Sequence, residues 1–388
     1  MLLWVSSICA SVAGDWHGLL NPGFAEVTLV LHIEESFRGF SAKIDTLEYE
    51  LFNIPVDAIA FEGEELRFLL SRSSYRGVMH ADHTITGTWT QQGKQYPLTF
   101  KYGNKTAARP QEPMGPYPYR AEEVKYPNQK VLLSGTLTLP HAEGPCPAMI
   151  LIGGSGPIDR DETCFGHKPF LVLADHLTRK GIAVLRFDKR GINQSTGAYE
   201  TATSLDFASD VLASIDYLKT RKEIGSIGLI GHSEGGLIAP IVATHSPELA
   251  CIVLMAGPGV NGEEIFYLQA SIGSTHMCTW LNTPWFRFFL TYEPSTALEQ
   301  ITLPVLAING ALDVQVPSHQ NLPMIERALQ KAGNRQYKTL ELPGLNHLFQ
   351  RCKTGSVAEY KEIEETISLD VLDLIAEWIW EIENFSIH

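Results

Sequence analysis

The sequence predicts an α/β fold in which a mostly parallel, doubly wound sheet follows a separate antiparallel β domain. From residue 15 to about 102, apolar residues recur at every second position, as in half-buried strands. After residue 120, continuous apolar runs alternate with segments long enough for crossover helices, which favours a parallel sheet. The length of 388 residues also favours two domains.

The first thirteen residues carry no charge and end in the small-residue pattern Ser11-Val12-Ala13. Two interpretations stay open. Residues 1–13 are either the end of a signal peptide cut before Gly14, which predicts a periplasmic or secreted protein, or an apolar segment that packs on its own domain in a cytoplasmic one.

Residues 14–102 form the predicted antiparallel β domain. Val27, Leu29, Leu31 and Ile33 fall on one face of a strand, and no nucleophile or metal-ligand spacing occurs in the region. Short turn motifs separate the apolar runs, which indicates hairpins. These motifs are Asn21-Pro22-Gly23, Glu62-Gly63-Glu64 and Gln92-Gly93-Lys94.

Residues 103–120 are predicted to be a stiff linker. Pro110, Pro113, Pro116 and Pro118 lie within this stretch. Proline lacks the N–H that a sheet or a helix interior needs, so neither element is expected here.

Residues 121–388 form the predicted α/β domain. Its strand-like runs are 131–139, 148–152, 182–187, 227–230, 250–255, 303–308 and 337–342. Thr203 and Asp206 offer a capping box for one helix, and a last helix is expected to begin at Ser368. In that helix the residues predicted to point inward are Leu369, Leu372, Ile375 and Ile379.

The stretch Gly231-His232-Ser233-Glu234-Gly235 joins a strand-like run to a helix-compatible run. This context predicts a nucleophile elbow with Ser233 at the tip. A Cβ two residues either side of the serine would collide with neighbouring backbone, so glycine is needed there. The alternative is that Ser233 is an ordinary turn serine. His232 is expected to point away from the serine and to pack.

A nucleophilic serine needs a histidine to take its proton and a carboxylate to orient that histidine. Asp313 follows the strand at 303–308, and His347 lies on a loop after the strand at 337–342. The order serine, acid, histidine suits this fold. The rivals are Glu299, which precedes its strand, and His319, six residues after Asp313; Asp313 could also serve only in a turn.

The oxyanion formed on attack needs backbone N–H donors. One is expected from Glu234, directly after the serine, and one from the turn at 153–156. Ser155 is the preferred second donor and Gly154 the alternative. The same glycines lack the lysine of a phosphate-binding loop, which argues against nucleotide binding.

Composition excludes several other classes of function. The net charge of −14 opposes binding to nucleic acid, and no apolar run approaches the about 20 residues of a membrane span. The six cysteines show no C-x-x-C spacing, so no metal site is predicted, and we expect neither a metal nor an organic cofactor.

At these motifs the chain resembles the α/β-hydrolase superfamily, and within it bacterial carboxylesterases of the EstD-like group that carry an N-terminal β domain. The resemblance implies a Ser233–His347–Asp313 triad and hydrolysis of a small-molecule ester without a cofactor. It rests on Gly14-Asp15-Trp16-His17-Gly18, the connector at 109–120, Gly153-Gly154-Ser155-Gly156-Pro157, Asp159-Arg160-Asp161, Asp188-Lys189-Arg190-Gly191, Gly231-His232-Ser233-Glu234-Gly235, Asn309-Gly310 with Asp313, and Leu342-Pro343-Gly344-Leu345-Asn346-His347.

One departure concerns the lid, which relatives usually insert as several tens of helical residues before the acid-bearing strand. Here only about 257–300 are left for it, so a reduced lid and a preference for short-to-medium acyl chains are predicted. The segment is aromatic, and its rings either line an acyl pocket or pack on the sheet, with packing favoured for most of them. These residues are Phe266, Tyr267, Trp280, Trp285, Phe286, Phe288 and Phe289. A serine peptidase and a catalytically inactive binding protein are the alternative functions.

Overall fold

The computed structural model describes residues 12–22, 27–36, 39–46, 51–103, 109–142, 144–271 and 283–386. These residues divide into two compact units, one reaching Gly103 and the other beginning at Arg109. The first unit is all β, and the second is α/β.

The first unit is a nine-stranded antiparallel sheet in the order β4-β3-β2-β1-β9-β8-β7-β6-β5. The predicted antiparallel β domain is therefore confirmed. Its strands are β1 (Gly14–Leu20), β2 (Val27–Ser36), β3 (Gly39–Thr46), β4 (Leu51–Pro55), β5 (Ala58–Glu62), β6 (Glu65–Leu70), β7 (Ser73–Met79), β8 (Thr84–Gln91) and β9 (Lys94–Tyr102).

The core of this unit consists of the apolar side chains that occur at every second position along its strands. Leu29, Leu31 and Ile33 of β2 are buried, and they pack with Trp16 and Phe100 in one cluster. Two of the three predicted turn motifs connect hairpins, β5 to β6 and β8 to β9. The third extends to Gly23, which lies outside the described residues.

The second unit contains an eight-stranded sheet in the order β10-β11-β13-β12-β14-β15-β16-β17. The first three strands in this order pair antiparallel, and the pairs from β13 to β17 are parallel. Its strands are β10 (Tyr119–Asn128), β11 (Val131–Pro140), β12 (Cys146–Ile152), β13 (Ala183–Phe187), β14 (Ile224–His232), β15 (Ile252–Met255), β16 (Val305–Gly310) and β17 (Tyr337–Leu342).

Helices cover both faces of this sheet. On β12, Ile150 and Ile152 belong to the core under α2, α3 and α7, whereas Met149 and Leu151 belong to the core under α1 and α9. Such two-sided burial explains why the parallel strands read as continuous apolar runs. The described helices are α1 (Pro169–Arg179), α2 (Ser204–Lys219), α3 (Glu234–Ala243), α4 (Gly262–Ser271), α5 (Pro284–Thr291), α6 (Ser295–Leu298), α7 (Ser318–Lys331), α8 (Val357–Tyr360) and α9 (Leu369–Ser386).

Two details differ from the sequence interpretation. Tyr119 and Arg120, placed at the end of the linker, already belong to edge strand β10, whose partly exposed, charge-rich pattern hides it in the sequence. Leu369 was wrongly predicted to point inward. It is the first residue of α9 and is 56% exposed, while Leu372 is buried as predicted.

The start of the second unit is bound to its body rather than extended freely. The Arg109 guanidinium donates to the carbonyls of Phe165, Gly166, Lys361 and Ile363. Among the described residues, no helix combines the length and apolar character needed to cross a membrane.

Candidate active site

Ser233 occupies the turn between β14 and α3. Its φ and ψ are 53° and −116°, a combination that residues other than glycine rarely adopt and that costs backbone strain. Its N–H donates to the Met255 carbonyl at 2.9 Å, and its own carbonyl accepts from the Gly236 N–H at 2.8 Å. These bonds hold the serine at the carboxyl edge of the sheet.

The glycines beside Ser233 allow this turn for the expected reason. A Cβ on Gly231 would lie 2.0 Å from the Gly235 carbonyl oxygen. A Cβ on Gly235 would lie 1.9 Å from the carbonyl oxygen of Ile152. Both contacts are to backbone, so no side-chain movement could relieve them.

Asp313 and His347 are joined directly. Asp313 follows β16, and its Oδ1 accepts the N–H groups of Gln315 and Val316 at 2.8 and 2.9 Å. Its Oδ2 lies 2.7 Å from Nδ1 of His347, and both side chains are buried. A proton held on Nδ1 leaves Nε2 of His347 with a lone pair that can accept one.

His232, the residue before Ser233, does more than pack. Its Nε2 lies 3.0 Å from the carbonyl oxygen of His347, and its Nδ1 lies 3.0 Å from Oε1 of Glu162. Burial lowers the pKa of His232, but the Glu162 carboxylate, the His347 carbonyl and the Asp313 carboxylate together raise that pKa above its usual value. The elbow is thereby connected to the loop that carries His347.

Glu162 also reaches the turn at 153–156. Its Oε1 accepts the N–H of Gly154 at 2.7 Å. A Cβ built on Gly154 would lie 3.2 Å from Cβ of Ser233, which places this turn directly beside the serine. The Gly154 N–H is therefore already engaged by a carboxylate of the protein.

Lys189 and Glu234 form a buried ion pair next to the same turn. Nζ of Lys189 lies 3.0 Å from Oε2 of Glu234 and 2.6 Å from the Gly154 carbonyl oxygen. The other Glu234 oxygen accepts the Ser204 hydroxyl and the Trp285 indole N–H, each at 2.7 Å. The backbone N–H of Glu234 belongs to the first turn of α3, where helix geometry provides no carbonyl partner.

The Asp159-Arg160-Asp161 motif braces the loop after the turn. Arg160 Nη2 lies 2.8 Å from Oδ2 of Asp188, and the Arg160 N–H donates to the same carboxylate at 2.9 Å. Asp161 accepts a hydrogen bond from Arg186 on β13. These pairs connect the loop that follows the turn at 153–156 to β13 and to Asp188, the residue after β13.

The rival acid and base lie elsewhere. His319 is exposed on the first turn of α7, and no contact joins it to Asp313 or Ser233 among the described residues. Glu299 caps α6 and pairs with Lys331 at 2.6 Å.

The aromatic segment is only partly described, since Trp280 and the rest of 272–282 lie outside the described residues. Trp285 and Phe286 are buried and belong to the core beneath α2 and α3, and Phe266, Phe288 and Phe289 pack against that core. Tyr267 is 68% exposed. Packing on the sheet, the favoured interpretation for most of these rings, therefore applies to five of the six described ones.

Within the described residues, no group of three or more histidine, cysteine, aspartate or glutamate side chains is arranged to hold a metal ion. Cys146, Cys251 and Cys352 are free thiols.

Sequence comparison shows similarity to known hydrolases. The family model described as "Serine aminopeptidase, S33" matches residues 168–288, which include the elbow. The chain is 26% identical over 363 residues to Esterase EstD of Thermotoga maritima, covering 87% of this chain and 81% of that protein.

Two solved structures share the fold. Est1E of Butyrivibrio proteoclasticus with bound ferulic acid aligns with a TM-score of 0.51 at 20% identity, over 67% of this chain and 99% of that one. Pyrococcus furiosus esterase Pf2001 aligns with a TM-score of 0.50 at 18% identity, over 72% of this chain and 98% of that one. Together with the sheet order and the elbow described above, these similarities show an α/β-hydrolase fold, and in sequence the chain resembles Esterase EstD.

Proposed function

We propose that the chain is a serine carboxylesterase that works through an acyl-enzyme intermediate. The observation that carries the proposal is the hydrogen bond between His347 Nδ1 and Asp313 Oδ2, at the sheet edge where the elbow presents Ser233. The similarity to Esterase EstD over most of the chain supports an ester as the substrate.

In the first step, Oγ of Ser233 attacks the ester carbonyl carbon while Nε2 of His347 takes the hydroxyl proton. The negative charge on the carbonyl oxygen is stabilised by the N–H groups of Glu234 and Ser155. His347 then gives the proton to the departing alkoxide, and Asp313 stabilises the imidazolium in between. Water repeats the sequence on the acyl-enzyme, releasing the acid and restoring Ser233.

The second candidate is a serine peptidase. It is favoured by the description of the family model that matches residues 168–288. Against it, the sequence offers no identifiable acidic pair that would hold a peptide amino terminus.

We expect p-nitrophenyl butyrate to be hydrolysed and aminoacyl p-nitroanilides to be left intact. The measurement is kcat/KM for both substrate types, with fluorophosphonate labelling of Ser233 to count active sites. Faster anilide cleavage would favour the peptidase. Failure of Ser233 to label would contradict both and favour the third alternative, a catalytically inactive binding protein.

The acyl-chain preference follows from the proposed short lid at about 257–300. Each methylene of the acyl chain that is buried against apolar side chains contributes about 0.8 kcal/mol to binding. A small lid buries few methylenes, so long acyl chains should gain little binding energy from it. We expect acetyl to hexanoyl esters to be preferred over lauroyl and longer ones, without interfacial activation. A kcat/KM series from acetate to palmitate measures this, and values that climb through the long chains would contradict it.

A further inference from the structure

The turn beside Ser233 contains a peptide unit whose orientation decides where one oxyanion donor points. The carbonyl of Gly154 and the N–H of Ser155 belong to the same peptide bond. This bond is trans, since the cis bond among the described residues is Gly115-Pro116. In a planar trans peptide the C=O and N–H groups point in opposite directions. Whatever holds the Gly154 carbonyl therefore sets the direction of the Ser155 N–H.

Lys189 holds that carbonyl. Its Nζ lies 2.6 Å from the Gly154 oxygen, and its side chain is only 6% exposed, so water competes little for this contact. The ammonium also lies 4.5 Å from the centre of the Phe207 ring. A charged donor in such a buried site makes a strong hydrogen bond to a carbonyl.

The same ammonium binds the residue that supplies the other donor. Glu234 is 0% exposed, and its Oε2 lies 3.0 Å from Nζ of Lys189. The backbone N–H of Glu234 is the first donor of the proposed oxyanion hole. One cation therefore connects the two chain segments that supply the donors.

We propose that Lys189 is the positioning residue of the oxyanion hole. Through the Gly154 carbonyl it directs the Ser155 N–H, and through the Glu234 carboxylate it holds the Glu234 N–H at a constant separation from the Ser155 N–H. This inference rests on the proposed esterase function. Lys189 touches no reacting atom. Its role is to orient the two N–H donors before negative charge develops on the carbonyl oxygen. Such preorganisation of donors is a main source of rate enhancement in oxyanion holes.

A purely structural role makes a different prediction. If Lys189 only neutralises the buried Glu234, then Lys189→Met should destabilise the fold by leaving a buried carboxylate without its cation. The double variant Lys189→Met, Glu234→Gln should then recover both stability and activity. If Lys189 positions the turn, the double variant should recover stability but not kcat, because the Gly154 carbonyl still lacks its hydrogen bond from Lys189.

The experiment compares the full-length wild type, Lys189→Met, the double variant, Glu234→Gln and Ser204→Ala. Ser204→Ala is the matched control, because Ser204 donates to Glu234 at 2.7 Å but does not touch Gly154. Active sites are counted from the final extent of fluorophosphonate labelling. The readouts are kcat and KM for p-nitrophenyl acetate, thermal unfolding, and inhibition by an alkyl trifluoromethyl ketone, which forms a tetrahedral adduct bearing an oxyanion.

We expect the double variant to lose about 10- to 100-fold in kcat per active site with KM little changed, less than the about 10²–10³ lost when a donor is removed outright. The affinity of the double variant for the ketone should fall by a similar factor, because the ketone adduct mimics the transition state. Glu234→Gln and Ser204→Ala, which change only the contacts of the Glu234 carboxylate, should each lose much less kcat than the double variant. Wild-type kcat and ketone affinity in the double variant would overturn the inference while leaving the esterase proposal intact. A wild-type protein that hydrolyses no ester would overturn the proposed function, and this inference with it.

Discussion

Replacing Ser233 with alanine is expected to lower kcat by about 10⁴- to 10⁶-fold, because it removes the atom that forms the acyl-enzyme. That loss corresponds to about 5–8 kcal/mol of transition-state stabilisation. The fold should persist, since the glycines at 231 and 235 and the backbone bonds of the turn do not involve the hydroxyl group. The measurement is kcat with p-nitrophenyl butyrate, together with thermal unfolding.

A matched control is Ser214→Ala. Ser214 is another buried serine, and its hydroxyl contacts Tyr126 and the Asp210 carbonyl rather than Ser233, Asp313 or His347. It should retain wild-type kcat even if the melting temperature falls slightly. A Ser233→Ala protein that keeps a tenth or more of wild-type activity would exclude Ser233 as the nucleophile.

The sequence could predict where the candidate residues lie because each of them comes after a strand of the parallel sheet. Ser233 follows β14, Asp313 follows β16 by a short turn, and His347 lies on the loop after β17. Strands β14 to β17 are parallel, so their carboxyl ends meet at one edge of the sheet. Strand patterns alone therefore indicate that these side chains lie close together.

The supporting contacts could not be predicted in this way. Glu162 meets His232 across 70 residues of sequence, and Lys189 meets Glu234 across 45. No periodicity marks either pair, because both partners lie in loops or at element ends. The motifs at 159–161 and 188–191 contribute to the family resemblance, but that resemblance assigns no role to their side chains. Their role depends on the tertiary path of the loops, which one sequence does not reveal.

Edge elements were also hard to predict. β10 pairs with one neighbour only and exposes many of its side chains, so its residues lack the continuous apolar run that marks β12 or β15. At α9, helical periodicity put Leu369 on the apolar face, but the first residue of a helix can lie beyond the edge of the core it covers. Hydrophobic periodicity therefore predicts the buried strands and helix faces of this fold better than its edge strands and helix ends.

His347→Ala is expected to lower kcat about as much as Ser233→Ala, because the serine is not activated without its base. Combining the two changes should cost little more than either one, since residues that act as a unit are not additive in their effects. The measurement is kcat of the two single variants and the double variant, with His319→Ala as the control histidine. If the fold-loss in kcat of the double variant equalled the product of the two single fold-losses, Ser233 and His347 would act independently, which would contradict the proposed mechanism.

Asp313→Asn is expected to cost about 10⁴-fold, less than the loss of His347. The amide oxygen can still accept the N–H groups of Gln315 and Val316, so the turn should hold. The amide NH₂ group, however, would face Nδ1 of His347 and donate to it, which moves the imidazole proton to Nε2. In that tautomer Nε2 cannot accept the proton of Ser233, although the Glu234 and Ser155 donors remain in place and preserve part of the catalysis. Glu299→Gln, at the rival carboxylate, should leave kcat unchanged. An Asp313→Asn protein within tenfold of wild type would show that another carboxylate orients His347.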